Sequence, residues 1–195
     1  MDILQLKDKN VIVMGVANDR SIAWHISKAL FDAEAHIIFT YRKERSLAKL
    51  TKLLADYDDS RYSVVQCDVN SDDSMTEAFT GIGETYGTIY GLVHSVAFAH
   101  AEDLKNRFVE TSREGYAFAQ DTSAYSLIKA ANLVRPYMTE GGSIITMSYL
   151  GAERVLDGYN VMGVAKAALE ANVRYLAGDI GQDNFRVYSI SAGAF

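Results

Sequence analysis

The sequence predicts an α/β fold built on a doubly wound parallel sheet of at least six strands. Two observations carry this prediction: short apolar runs recur six times, and longer stretches with helical spacing lie between them. The runs are mostly apolar on successive residues, which is typical of strands covered on both faces. Repeated alternation of strand and helix then predicts a doubly wound sheet. The runs lie at residues 11–14, 37–39, 63–65, 89–93, 144–145 and 187–190.

The stretches between the runs carry apolar residues at the spacing of a helix face. Two such faces collect Ile22, Ile26, Ala29 and Leu30, and Leu47, Leu50, Leu53 and Leu54. A further helix is predicted from about Ser112 to the neighbourhood of Pro136, the only proline, which would sit near its end. No linker or low-complexity tract divides the 195 residues, so we expect a single domain over 1–195.

Composition excludes several classes of protein. With a net charge of −6, the chain lacks the excess of lysine and arginine that a broad nucleic-acid-binding face needs. We therefore expect no nucleic-acid partner. A single cysteine, Cys67, cannot form an internal disulfide, and the four histidines show no metal-ligand spacing, so no metal site is expected. No signal peptide or membrane span is predicted, which favours a cytoplasmic protein.

The turn after the first strand has features of a phosphate-binding loop. The full dinucleotide fingerprint is absent, and only its first glycine, Gly15, is present. Gly15 permits a tight turn, the small Ala17 lets the backbone approach a pyrophosphate, and Ser21 can cap the next helix or donate a hydrogen bond to phosphate. A strand-to-helix turn with a serine cap and no ligand is the alternative on this segment alone.

The end of the second strand bears on the choice of cofactor. A cofactor without a 2′-phosphate usually meets an acidic residue there. This strand instead leads into Arg42 and Lys43, with no carboxylate before them, which suits an adenosine 2′-phosphate. Asp68 follows the third strand and is placed to accept from an adenine amino group, although a turn aspartate leading into a helix is an equal alternative. We expect NADPH in preference to NADH, with NADH also a candidate.

A tyrosine and a lysine follow the fifth strand at a spacing of seven residues. In a helix, seven residues turn the chain by about 700°, so Tyr159 and Lys166 would share a face about 10.5 Å apart. A lysine ammonium favours the phenolate form of a tyrosine and can also hold a ribose diol. In a dinucleotide fold this pair indicates a proton donor.

These segments resemble the bacterial enoyl-acyl-carrier-protein reductases, a divergent branch of the short-chain dehydrogenase/reductase superfamily with a Rossmann-type sheet. The resemblance rests on the Gly15-x5-Ser21-x-Ala23 loop, the Tyr-x6-Lys spacing and Tyr149, ten residues upstream of Tyr159. Residues 40–45, 94–99 and 159–166 also look like the family, and the resemblance spans the whole chain. Ordinary superfamily members use Tyr-x3-Lys.

The resemblance implies reduction of a trans-2-enoyl thioester carried by acyl carrier protein, the last step of a fatty-acid elongation cycle. Hydride would pass to the β-carbon, and Tyr159 would stabilise or protonate the enolate at the thioester oxygen. Lys166 would hold the nicotinamide ribose, while Tyr149 and Ala99 would face the substrate. Catalytic roles are thus expected for Tyr149, Tyr159 and Lys166.

The expected cofactor site rests on the loops and on the resemblance, and it includes residues at the ends of most of the predicted strands. Ser95, Val96 and Ala97 would line the groove, and Ala192, Gly193 and Phe195 would lie beside the nicotinamide carboxamide. The complete expected set is Gly15, Ala17, Ser21, Ile22, Arg42, Lys43, Asp68, Val69, Ser95, Val96, Ala97, Lys166, Ala192, Gly193 and Phe195.

The helix beginning near Gly158 is rich in small and apolar residues on more than one face. The family forms homotetramers through this helix and the one before it, so the resemblance implies a homotetramer. A thickly covered core helix is the alternative.

Three features depart from the family pattern. Its C-terminal strand and substrate-covering helices are not in this sequence, so we expect a longer native chain and an exposed sixth strand. Ala194 stands where the family has proline. Glu34 stands where it usually has glycine, at a cost of about 1 kcal/mol if the position is left-handed. A carbonyl reductase of the same superfamily and a non-catalytic nucleotide-binding module are the competing functions.

Overall fold

The structure is a computed structural model that describes residues 5–193. In this part of the chain, six strands form one parallel sheet in the order β3-β2-β1-β4-β5-β6. The expected doubly wound sheet is confirmed, since the chain runs outward from β1 in one direction and then in the other. The strands are β1 Asn10–Met14, β2 His36–Tyr41, β3 Tyr62–Gln66, β4 Ile89–His94, β5 Gly142–Ser148 and β6 Phe185–Ser191.

Within residues 5–193, seven α-helices connect and cover the strands. They are α1 Ile22–Asp32, α2 Glu44–Leu54, α3 Asp72–Tyr86, α4 Ala101–Lys105, α5 Arg113–Gln120, α6 Ser126–Val134 and α7 Asn160–Ile180. Among residues 5–193, none of them is both long and apolar enough to cross a membrane.

Both faces of the central strands are buried, which explains why the apolar runs do not alternate. Val11 and Val13 of β1 pack in a cluster with residues of α1 and α2. Ile12 and Met14 point the other way, into a larger cluster with residues of α3, α6 and α7. Successive strand residues therefore meet opposite helical layers. β6 is an edge of the described sheet, and its Tyr188 and Ile190 are about half exposed.

The helix predicted from about Ser112 to the neighbourhood of Pro136 is confirmed, with one irregular turn inside it. A single π turn, Asp121–Tyr125, separates α5 from α6, and Pro136 lies in a 3₁₀ turn after α6. The Ser126 hydroxyl donates to the Thr122 carbonyl, and Asn172 Nδ2 of α7 donates to the Ala124 carbonyl. Two backbone carbonyls of the π turn thus accept hydrogen bonds from side chains. Such bonds compete with the backbone hydrogen bonds of a regular α-helix.

Glu34 lies in the left-handed region, with φ of 58°. The left-handed backbone on which the expected cost depends is therefore present, and side chains other than glycine pay a steric cost there. The Glu34 carbonyl accepts from the Asp8 amide, and its carboxylate forms an ion pair with Lys7 at 2.8 Å. The backbone at the α1–β2 junction is therefore fixed by its neighbours.

Helix α7 buries one long stripe, from Val161 to Ile180, and leaves Tyr175 83% exposed. Ala167 on the same helix is also exposed. The side of α7 that faces away from the sheet is therefore exposed in the single chain, and the expectation that a second face is buried is not tested. The homotetramer stays a prediction.

Candidate active site

The carboxyl ends of β1 to β4 surround a cavity of about 240 Å³. Ligands of open parallel sheets bind at this edge, next to the point where the strand order reverses. Seven predicted cofactor residues line the cavity: Gly15, Ala17, Arg42, Val69, Ser95, Val96 and Ala97. The sequence analysis did not assign to the cofactor site the eight other residues that line the cavity, which are Val16, Thr40, Tyr41, Ser46, Cys67, Asn70, Phe98 and Thr122.

Gly15 brings the first turn against the β4 loop. Its φ is +93°, and a Cβ atom added there would lie 2.0 Å from the Ser95 carbonyl oxygen. The tight turn expected from the sequence is therefore confirmed, and its close approach is to the chain's own backbone. This contact joins two of the predicted cofactor-binding loops.

Ser21 does not cap α1 with its side chain. It occupies the N-cap position, but its hydroxyl donates to the Asn18 carbonyl at 2.6 Å. Asn18 Oδ1 in turn accepts from the Arg20 amide. The expected serine side-chain cap is corrected, because the hydroxyl closes the preceding loop instead. Backbone N–H groups at the start of such a helix are the donors that a pyrophosphate uses.

Arg42 and Asp68 form an ion pair at the edge of the cavity. Arg42 Nε donates to Asp68 Oδ2 at 2.9 Å, and both side chains are partly exposed. The second carboxylate oxygen of Asp68 accepts from the Asn70 amide at 3.1 Å. Parallel pairing of β2 with β3 brings the two residues together, although they are 26 positions apart. The sequence reasoning treated them separately.

Asn70 offers an unsatisfied acceptor beside the same cavity. Its Nδ2 donates to Asp121 Oδ2 and to Thr122 Oγ1, while its Oδ1 is buried with no hydrogen-bond partner among the described residues. Buried acceptors normally have a donor, so a ligand N–H group would satisfy this one. Asn70, the cations Arg42 and Lys43 and the N-terminus of α1 together offer the acceptor, the positive charges and the N–H donors that a dinucleotide needs.

Tyr159 lies against Tyr149, at the entrance to α7. Their ring centroids are 5.0 Å apart and their planes meet at 69°, an edge-to-face contact. Tyr159 is the N-cap of α7, and the helix begins at Asn160. A Cβ atom added at Gly151 would lie 2.4 Å from Tyr159 Cδ1. Gly151 therefore makes room for this ring, a role that the sequence reasoning missed.

Burial raises the pKa of Tyr159 to about 12, and the neighbouring Tyr149 adds to the effect. The sequence analysis expected Lys166 to favour the phenolate, which would lower that pKa. This expectation is wrong for the structure, because desolvation disfavours the charged form and dominates here. Tyr159 is therefore a protonated hydrogen-bond donor at neutral pH.

Lys166 is buried and fixed to the end of β5. Its Nζ donates to the Met147 carbonyl at 2.5 Å. Burial lowers the pKa of Lys166 to about 8, and the Glu170 carboxylate opposes that shift. Glu170 is held by the Ser148 hydroxyl, which donates to Oε1 at 2.5 Å. Lys166 and the Glu170 carboxylate are thus hydrogen-bonded to two successive residues of β5, Met147 and Ser148.

The remaining predicted residues lie around this pair or outside the described chain. Ala99 is buried in an apolar cluster with Ala119 and Val161, and Tyr159 packs against that cluster. The Ala192 amide donates to the Ser148 carbonyl at 3.3 Å, so the segment leading to Gly193 lies beside the end of β5. Ile22, at the start of α1, and Lys43, at the N-cap of α2, are exposed. Phe195 and Ala194 lie outside the described residues.

His94 and Cys67 are both buried in the described part of the chain. Over residues 5–193, no group of three potential ligands could hold a metal ion. His94 is fully buried between the hydroxyls of Thr146 and Ser126, at 2.9 and 2.8 Å. Burial lowers the pKa of His94 to about 3, and burial raises the pKa of the Cys67 thiol to about 12. Both side chains are therefore neutral at physiological pH.

Comparison with known proteins gives one consistent result. A family described as enoyl-(acyl carrier protein) reductase matches residues 15–195. An enoyl-acyl-carrier-protein reductase of Staphylococcus aureus, named with NADPH, is 51% identical over 98% of this chain and 75% of its own length. A Bacillus cereus relative named with NADH is 50% identical over 99% of this chain and 75% of its own length.

Solved structures agree. The Bacillus cereus enoyl-acyl-carrier-protein reductase with NADP⁺ and indole naphthyridinone superposes with a TM-score of 0.93 at 50% identity, over 96% of this chain and 73% of that one. The Aquifex aeolicus reductase described with NADH gives a TM-score of 0.92 at 40% identity, over 97% of this chain and 74% of that one.

Proposed function

The chain belongs to the enoyl-(acyl carrier protein) reductase family, and we propose that it reduces trans-2-enoyl-acyl-carrier-protein with NADPH, accepting NADH less well. The observation that carries the proposal is the placement of Tyr149, Tyr159 and Lys166 at the end of β5, with the cavity beside β1 to β4. Such a site couples a dinucleotide to a proton donor. The reaction belongs to fatty-acid biosynthesis.

Tyr159 is the group that we assign to the thioester oxygen. When bound, the cofactor supplies the hydride that reaches the β-carbon, and negative charge then develops on that oxygen. With its pKa raised to about 12, Tyr159 keeps its proton and donates a hydrogen bond where the charge appears. Tyr149 packs against the Tyr159 ring and limits its motion.

Lys166 and the two cations after β2 are assigned to the cofactor. Lys166 has three N–H donors, of which one reaches the Met147 carbonyl, so two remain for a ribose diol. Arg42 and Lys43 are assigned to the adenosine 2′-phosphate, and Asn70 Oδ1 to a donor on the cofactor. The homotetramer and the cytoplasmic location stay predictions.

The test follows cofactor absorbance while a trans-2-enoyl thioester of acyl carrier protein is added, with NADPH and NADH in parallel. We expect consumption of NADPH, and a loss of 100-fold or more in Tyr159→Phe with NADPH binding unchanged. Tyr175→Phe is the matched control, because that ring is 83% exposed on α7, and it should keep full activity.

Two outcomes would contradict the proposal. Cofactor binding without consumption would leave the chain a nucleotide-binding module. Consumption with a simple ketone, and none with the enoyl thioester, would identify a carbonyl reductase.

A further inference from the structure

Asp68 is held in place by its own turn, independently of Arg42. Its amide donates to Ser74 Oγ, its carbonyl accepts from the Ser71 amide, and its Oδ1 accepts from the Asn70 amide. The carboxylate is therefore a fixed charge at the rim of the cavity. Arg42, by contrast, reaches it through a flexible side chain with 45% exposure.

The ion pair uses only part of the guanidinium. Of its five N–H donors, the Nε–H is directed to Asp68 Oδ2, which leaves the terminal nitrogens for another acceptor. A phosphate monoester can take that fork in a bidentate manner. Arg42 can thus hold Asp68 and a phosphate at the same time.

The charges nevertheless compete. A phosphate monoester carries about −1.5 to −2 charge at pH 7. The charge of Arg42 is already neutralised by the Asp68 carboxylate, which lies 2.9 Å from Nε. The same carboxylate also repels a phosphate bound to Arg42. A cofactor without the phosphate feels neither effect. The pair therefore weakens the selectivity that Arg42 and Lys43 would otherwise confer.

We propose that Asp68 is a specificity-determining residue whose ion pair with Arg42 reduces the preference for the 2′-phosphorylated cofactor. This inference rests on the proposed cofactor site and assigns Asp68 a role besides its predicted contact with adenine. Asp68 lowers the ratio of the Kd for NADH to the Kd for NADPH, while Arg42 and Lys43 make NADPH the more tightly bound of the two cofactors.

The decisive variant is Asp68→Asn, which removes the charge and keeps one oxygen acceptor for the Asn70 amide, while an NH2 group replaces the oxygen that Arg42 Nε contacts. Binding of NADPH and of NADH is titrated separately by cofactor fluorescence, without substrate. We expect the Kd ratio of NADH to NADPH to rise about tenfold, mainly through tighter NADPH binding. Unchanged selectivity, with both cofactors still bound, would overturn the inference and leave the proposed function intact.

A double-mutant cycle tests whether the effect acts through Arg42. In an Arg42→Gln background, Asp68→Asn should change the ratio by no more than about twofold to threefold. An equal gain in both backgrounds would locate the effect in direct repulsion and overturn the role of the ion pair.

Asp72→Asn is the matched control. Asp72 pairs with Lys129, at 3.2 Å, and Lys129 does not line the cavity as Arg42 does, so loss of the Asp72 charge should leave the ratio unchanged. A similar gain in Asp72→Asn would show a general charge effect and overturn the assignment to Asp68. Failure of the unmutated protein to bind either cofactor would overturn the proposed function together with this inference.

Discussion

Lys166 Nζ donates a hydrogen bond to the backbone carbonyl of Met147, 2.5 Å away, so an ammonium of α7 is tied to the end of β5. This bond holds the cation in place although burial lowers its pKa to about 8. The groups that face it are Glu170, whose carboxylate raises that pKa, and His94, which is neutral at physiological pH. The protonation state of Lys166 therefore depends on its burial and on these two neighbours.

We expect NADPH binding to weaken as pH rises through about 8, because Lys166 loses its charge there. Glu170→Gln removes the carboxylate that favours the ammonium, so the weakening should begin at lower pH. The measurement is the Kd for NADPH between pH 6 and 10. A curve that is the same in Glu170→Gln would contradict the electrostatic role of this residue.

Tyr149→Phe and Tyr149→Ala separate the hydroxyl from the ring. The phenylalanine keeps the edge-to-face contact with Tyr159, so stability should change little. The alanine removes a ring pair worth about 0.5–1.5 kcal/mol beyond its buried area and should also lower kcat, since Tyr159 loses its neighbour. Urea unfolding and steady-state kinetics check both variants. Equal kcat in the two would show that the ring does not position Tyr159.

Gly15→Ala should destabilise the protein and abolish cofactor binding. The added Cβ would lie 2.0 Å from the Ser95 carbonyl oxygen at a φ of +93°, so the two loops must separate. We expect a loss of about 1–3 kcal/mol or more in the free energy of unfolding. Gly81→Ala is the control, because a Cβ added at this position in α3 would have nothing within 4 Å. Its free energy of unfolding should rise by about 0.5–1 kcal/mol.

His94 should make the fold sensitive to acid. Burial and the nearby charge of Lys166 both disfavour the imidazolium form of His94. Its folded pKa, about 3, lies below the ordinary 6.5, so the unfolded chain binds the proton more readily. Stability present above pH 6.5 should fall by up to about 1.4 kcal/mol per pH unit on the way to pH 3. His94→Gln should show a shallower slope in urea titrations at each pH.

Glu34→Gly should stabilise the protein by up to about 1 kcal/mol, because it relieves the left-handed backbone at φ 58°. Loss of the exposed ion pair with Lys7 offsets only part of that gain. Ala33→Gly is the neighbouring control: its φ is −82°, so glycine there relieves nothing and should destabilise. Stabilisation by Ala33→Gly as well would contradict the strain at Glu34.

The sequence by itself determined the sheet and most of the loops at its carboxyl edge. Continuous apolar runs can be read without coordinates, because burial of both strand faces leaves no polar alternation. The turn at Gly15 and the pair of Tyr159 and Lys166 were also visible, since each lies within one short segment. Local chemistry and spacing were sufficient for these.

Only the tertiary structure decided the charges and contacts between distant segments. Parallel pairing of β2 and β3 places Asp68 on Arg42, and the π turn brings Thr122 to Asn70. Burial reversed the expected direction of the pKa shift at Tyr159, because desolvation depends on how neighbouring elements pack around the ring. Spacing along a helix contains no information about that packing, so the pKa of the proposed proton donor could be obtained only from the folded chain.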